Sequence, residues 1–180
     1  MRSFTTECIV LKRSNAGEAD RILTVFTKDF GKMACVAKGV RKMTSSKRSS
    51  LEPGMYSKFF CVHGHGMPIL TQAQVISDFA HTRSSLASTR SLTQILEILD
   101  VLTVEEQGQE EVFTCALEIL EMLNAETVGR SSVVGHLQQL VELLGFQDIR
   151  DTRFETVSEY VEFLSERKLK SFAFLTVGKR

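Results

Sequence analysis

The feature that most constrains this chain is a change of hydrophobic period near Asp78. Before it, short β-rich runs alternate with glycine turns. After it, apolar residues recur every three to four positions. In the first part, the expected strands are Thr6 to Lys12, Arg21 to Thr27, Lys32 to Lys38, Met55 to Val62 and Met67 to Ser77. Between them lie Ser14-Asn15-Ala16-Gly17-Glu18, then Lys28-Asp29-Phe30-Gly31, and the tip His63-Gly64-His65-Gly66. Gly39 to Ser50 is polar, basic and serine-rich, and reads as a loop. Five short strands predict a small barrel, whose closure removes exposed edges. The five-stranded OB-fold is the obvious candidate and a lone sheet the plain alternative.

In the second part, Leu92, Ile95, Leu96, Leu99 and Leu102 fall on one helical face, and Phe113, Ala116, Leu117, Leu120 and Leu123 on another. Val133, Leu137, Leu140, Val141 and Leu144 make a third, stopped by Gly145. Thr156 and Glu159 spell a capping box that opens a fourth helix carrying Tyr160, Val161 and Leu164. A shorter linking helix is expected from Ser77-Asp78 toward Leu86. The phrase Leu96 to Leu102 echoes Leu117 to Leu123, which suits a helical hairpin in a small bundle rather than a solenoid. Lys170 to Arg180 reads equally as a strand or a packed tail. The expected architecture is therefore a β barrel plus α, with an OB-fold over residues 1–80 and a small all-helical domain over 81–180.

Charge divides along the same line. The chain has no formal net charge. Residues 1–80 nevertheless hold twelve basic and six acidic side chains, a net +6 that the remainder balances. The sharpest segment, Lys38 to Arg48, carries five basic residues and no acid. Its cations and small polar groups suit phosphate oxygens, so an anionic partner for the first lobe is expected. Phe4, Phe30, Tyr56, Phe59 and Phe60 could supply stacking surfaces or core, and there is no tryptophan, so backbone electrostatics should outweigh stacking.

Enzyme signatures are missing. There is no phosphate loop, no nucleophile elbow and no H-E-x-x-H, and the four histidines lack a catalytic context. The acids Glu105-Glu106 and Glu110-Glu111 read as solvated residues favoured by a helix N-terminus. Cys61, His63 and His65 alternate, and sulfur with imidazole suits zinc. Gly64 and Gly66 turn the chain there, however, and no fourth ligand is near, so no metal or cofactor is expected. The four cysteines show no C-x-x-C pairing and read as reduced thiols. No apolar run approaches a membrane span and no signal peptide is evident, so a soluble cytoplasmic protein is expected.

The residues Ile9-Val10-Leu11-Lys12, Gly17 to Thr27, Gly31-Lys32, Ala37 to Lys42 and Leu51-Glu52-Pro53, in this order, resemble the N-terminal domain of the bacterial RecO recombination-mediator family. Leu143-Leu144-Gly145-Phe146 and the helical phrases resemble it more weakly. The resemblance implies a non-enzymatic role in DNA repair and recombination. That role comprises binding single- and double-stranded DNA, annealing complementary strands, and working with RecR and single-strand-binding protein to load RecA. Many members carry a four-cysteine zinc module after the Leu-Leu-Gly-Phe region, whereas Gln147 to Arg180 contains no cysteine. The family's basic residues map onto Lys38, Arg41 and Lys42, with Lys12, Arg13 and Arg21 also matching. Lys47 and Arg48 complete the candidate DNA-binding set from the charge pattern. Arg21 has a competing structural reading, as the partner of Glu18 or Asp20. A protein-interaction adaptor with a basic partner for the acidic lobe is the alternative, and a metal-dependent nuclease using the helix acids ranks third.

Overall fold

The computed structural model describes residues 3–41, 51–63, 65–105, 107–125 and 130–171, with the side chains of residues 130 and 131 excepted. It divides into two units, Met1–Asp78 with Val104–Gln109, and Phe79–Thr103 with Glu110–Arg180.

The first unit contains β1 (Ser3–Ala16), β2 (Asp20–Thr27), β3 (Gly31–Ala37), β4 (Tyr56–Val62) and β5 (Ile69–Ser77). β1 runs well beyond the expected Thr6 to Lys12, and only Gly17 to Ala19 remain as its turn. One strand this long serves two neighbours: its first half pairs with β4 and its second half with β2. The strands close in the order β1-β2-β3-β5-β4, and β3 meets β5 in parallel through Val36 and Ile69. This is the OB-fold arrangement. Its interior is filled by Cys8, Val10, Leu23, Val25, Cys35, Ala37, Phe59, Cys61 and Leu70 from all five strands. Val40 and Leu51, at the two ends of the β3–β4 connection, complete it.

Val104–Gln109, which leaves the helical region to join this unit, was not foreseen from the sequence. Lys32 N–H donates to the Val104 carbonyl at 3.1 Å, and Lys32 bridges Glu105 in parallel. The close approach demands glycine on both sides. A Cβ on Gly31 would lie 2.1 Å from the Gln107 carbonyl oxygen, and one on Gly108 would lie 2.4 Å from that of Asp29.

The second unit contains α1 (Leu86–Leu102), α2 (Glu110–Asn124), α3 (Arg130–Leu143) and α4 (Val157–Ser165). The expected linking helix is corrected. Ala80–Arg83 is a single 3₁₀ turn, and α1 starts separately where the Ser85 side chain accepts from Ser88 N–H at 3.1 Å. The Thr156–Glu159 capping box is present. Leu92, Ile95, Leu96, Leu99 and Leu102 are all buried, as are Phe113, Ala116, Leu120, Val133, Leu137, Leu140, Val141, Tyr160 and Val161. The most extensive helix packing joins α2 with α3 and α1 with α4, rather than the two echoing helices. Glu97 of α1 accepts from the backbone N–H groups of Lys170 and Ser171, each at 2.8 Å. Of the undecided segment Lys170 to Arg180, residues 172–180 lie outside the described residues.

Candidate nucleic-acid interface

The basic residues gather where the β1–β2 turn meets the β3–β4 connection. The start of that connection is tied to the turn. Gly39 N–H donates to Asp20 Oδ1 at 2.7 Å, Arg41 N–H to the Ala19 carbonyl at 2.9 Å, and the Arg41 guanidinium to the Gly17 carbonyl at 2.9 Å. Its return is tied to β1, where Gly54 N–H donates to Val10 at 2.7 Å and Val10 N–H donates to Met55 at 3.0 Å. Lys38 is exposed between the end of β3 and this anchor. Lys42, Lys47 and Arg48 lie outside the described residues.

A bulge decides which face of the ladder each β1 cation takes. Val10 pairs with Val25, but the register shifts before Lys12, and Arg13 pairs with Leu23. Cross-strand partners share a face of a sheet. Val25 and Leu23 point into the core, so Arg13 shares their face of the ladder and Lys12 takes the opposite face with Thr24, while both residues remain exposed. An unbroken ladder would have done the reverse. Arg13 meets Glu52 in an ion pair, and Arg21 Nη1 lies 3.9 Å from the same carboxylate. Arg21 is 9% exposed. Arg21 thus faces Glu52, while Asp20 holds Gly39. Glu52, an isolated acid in a basic stretch, was the missed residue.

The candidate aromatic residues separate. Phe59 is core, and Tyr56 donates its hydroxyl to Glu7 at 2.5 Å. Phe60 is exposed. Phe4 and Phe30 meet edge to face with ring centroids 5.0 Å apart, and His63 lies 5.0 Å from Phe4. These rings border a cleft of about 810 Å³, also lined by Lys32, Met33, Met67 and Glu105. Cys61 is buried, whereas His63 and His65 are exposed beyond the end of β4, so the alternation does not bring them onto one face. Among the described residues no three His, Cys, Asp or Glu side chains cluster to hold a metal. Burial raises the Cys8 thiol's pKa well above its usual range. A hydrogen bond shared with Cys61, followed by burial, does the same for Cys35.

A closed five-stranded barrel in this order, with cations around its β1–β2 turn and β3–β4 connection, defines an OB-fold protein. Residues 1–79 match the domain family described as Recombination protein O N terminal. The chain is also similar to the DNA repair protein RecO of Heliobacterium modesticaldum, at 32% identity over 61% of this chain and 40% of the relative. That of Pelotomaculum thermopropionicum is 30% identical over 63% of this chain and 44% of the relative. That of Shouchella clausii is 33% identical over 56% and 40%. The likeness is to the N-terminal domain of RecO proteins, and the matches span less than half the length of these relatives. Among the described residues no helix is long and apolar enough to cross a membrane.

Proposed function

We propose that the chain is a non-enzymatic DNA-binding protein of repair and recombination. On this reading it holds single- and double-stranded DNA by the backbone and anneals complementary strands. The observation that carries this is the position of Lys12, Lys38 and Arg41 around one connection of an OB barrel whose sequence matches the RecO N-terminal domain. OB barrels commonly bind oligonucleotides, and cations on a surface neutralise phosphates without reading bases. Lys42, Lys47 and Arg48, in the same connection, extend the set. Arg13 and Arg21, both facing Glu52, serve chiefly to hold the connection in place.

Annealing requires that two mutually repelling backbones be screened together and held loosely enough for bases to find register. A cationic connection meets that requirement better than a deep stacking site. Cooperation with RecR and single-strand-binding protein, RecA loading as its consequence, and a cytoplasmic location complete the reading.

The test is DNA binding across a salt series. If about four to six phosphates are neutralised, log K falls against log salt with a slope of roughly −3 to −4 on single strands. Lys38→Glu with Arg41→Glu makes the slope shallower by about 0.7 for each phosphate no longer neutralised, while Arg150→Glu changes it little. Arg150 already pairs with Asp148 at 2.5 Å. A flat salt response, or equal weakening by the two sets in folded proteins, defeats the reading.

A further inference from the structure

The cleft beside Phe4, Phe30 and His63 has a use that backbone electrostatics does not supply. Its volume of about 810 Å³ lies within the roughly 300–1,000 Å³ common for small-ligand sites. It opens at one end of β1, whereas the cations surround the other, eight residues farther along at Lys12. That separation is at most about 27 Å of strand, well within a site of roughly 4–16 nucleotides for one OB fold.

Three features define the occupant. Phe4 is flanked by Phe30 and His63 at 5.0 Å, and Phe30 remains 41% exposed, so the array ends in an uncovered aromatic ring. Lys32 and Glu105 both line the cleft, placing opposite charges together, so the lining suits a neutral planar group better than a phosphate. The β3 edge beside it is closed to an added peptide strand. Lys32 N–H is taken by Val104 at 3.1 Å and Val36 N–H by Pro68 at 2.8 Å, leaving space for a single residue between them.

We propose that this cleft receives an unpaired nucleobase of a single DNA strand against the Phe30 ring, with the backbone continuing to the cations around Lys12 and Lys38. The inference rests on the DNA-binding reading above and adds a base-dependent component to it. A paired base cannot reach the ring without leaving its stack, so the site favours single strands over duplex. Stacking is indifferent to base identity because every base has a π-face.

The test compares three probes: a mixed-sequence single-stranded oligonucleotide, an abasic oligonucleotide of the same length, and the duplex. The wild-type protein is expected to bind the normal single strand about five-fold or more tighter than the abasic one. Phe30→Leu, which keeps an apolar side chain but removes the ring, should abolish that difference without changing the salt slope or duplex binding. His63→Ala, at an exposed position beyond β4, provides a second variant with little consequence for folding and should reduce the difference. Equal wild-type affinity for normal and abasic strands overturns the cleft proposal while leaving backbone binding intact. Loss of binding to all three probes by both folded variants also overturns it, because the rings would then support the scaffold rather than a base. Failure of the wild-type protein to bind any probe defeats the DNA-binding reading itself.

Discussion

At the scale of single residues, the barrel's most demanding position is Gly31. Its φ of +67° lies in the left-handed region, and a Cβ there would meet the Gln107 carbonyl at 2.1 Å. Gly17 has a similar φ of +59° but open space around it. The pair separates conformational strain from steric exclusion. Gly17→Ala is expected to cost about 1 kcal/mol. Gly31→Ala should cost about 3 kcal/mol, because Val104–Gln109 must also move away. Urea denaturation of both variants checks this, and similar costs would show that the close approach of Gln107 adds nothing. Arg21 presents a related case. Nearly buried and facing Glu52, it should affect stability more than DNA affinity, with Arg21→Ala costing about 2 kcal/mol. A large affinity loss at unchanged stability would return it to the interface.

At the scale of elements, legibility followed the range of the interaction that shapes each one. The α4 capping box is a local reciprocal bond, with Glu159 N–H donating to Thr156 Oγ1 at 3.1 Å, and two side chains within one turn of each other announce it. The buried faces of α1 and α3 were legible for a similar reason, since 3.6 periodicity is local. The β1 bulge was not, because only the partner strand reveals that Lys12 and Arg13 have exchanged faces of the ladder. Glu52 was missed as an anchor because Arg13 and Arg21 reach it from β1 and β2, far away in sequence. The Phe4–Phe30–His63 array likewise depends on three distant segments meeting. The link from α1 to Lys170 and Ser171 gives a pH-dependent prediction. Burial pushes the Glu97 carboxyl up, but the backbone N–H groups of Lys170 and Ser171, which donate to it, help draw it below its ordinary 4.5 overall. The folded state therefore binds fewer protons than the unfolded chain in that window. The resulting stability is fully present above the ordinary value and disappears as pH falls through the folded one. Glu97→Gln should cost about 1 kcal/mol at neutral pH and little in acid. Denaturation at both pH values checks it, and a pH-independent difference would count against the charge-assisted bonds.

At the scale of the whole molecule, the four thiols act as reporters built into both units. Cys8, Cys35 and Cys61 come from β1, β3 and β4 and join one barrel core, while Cys115 lies in α2 of the other unit. All four are buried. Burial, assisted by the nearby Glu118 charge, raises the Cys115 thiol to about 11, so at neutral pH it is protected by protonation as well as by access. A thiol reagent should therefore react slowly with the native protein and rapidly with four groups after full denaturation. At intermediate urea the three barrel thiols should become reactive together, because a closed barrel has no edge strand that can detach while leaving the remaining core filled. Cys115 should follow the transition of the helical unit. Mass spectrometry of quenched samples distinguishes the sites directly. Release of Cys61 well before Cys8 and Cys35 would mean that β4 opens separately, and that the barrel is not the single cooperative element its strand order describes.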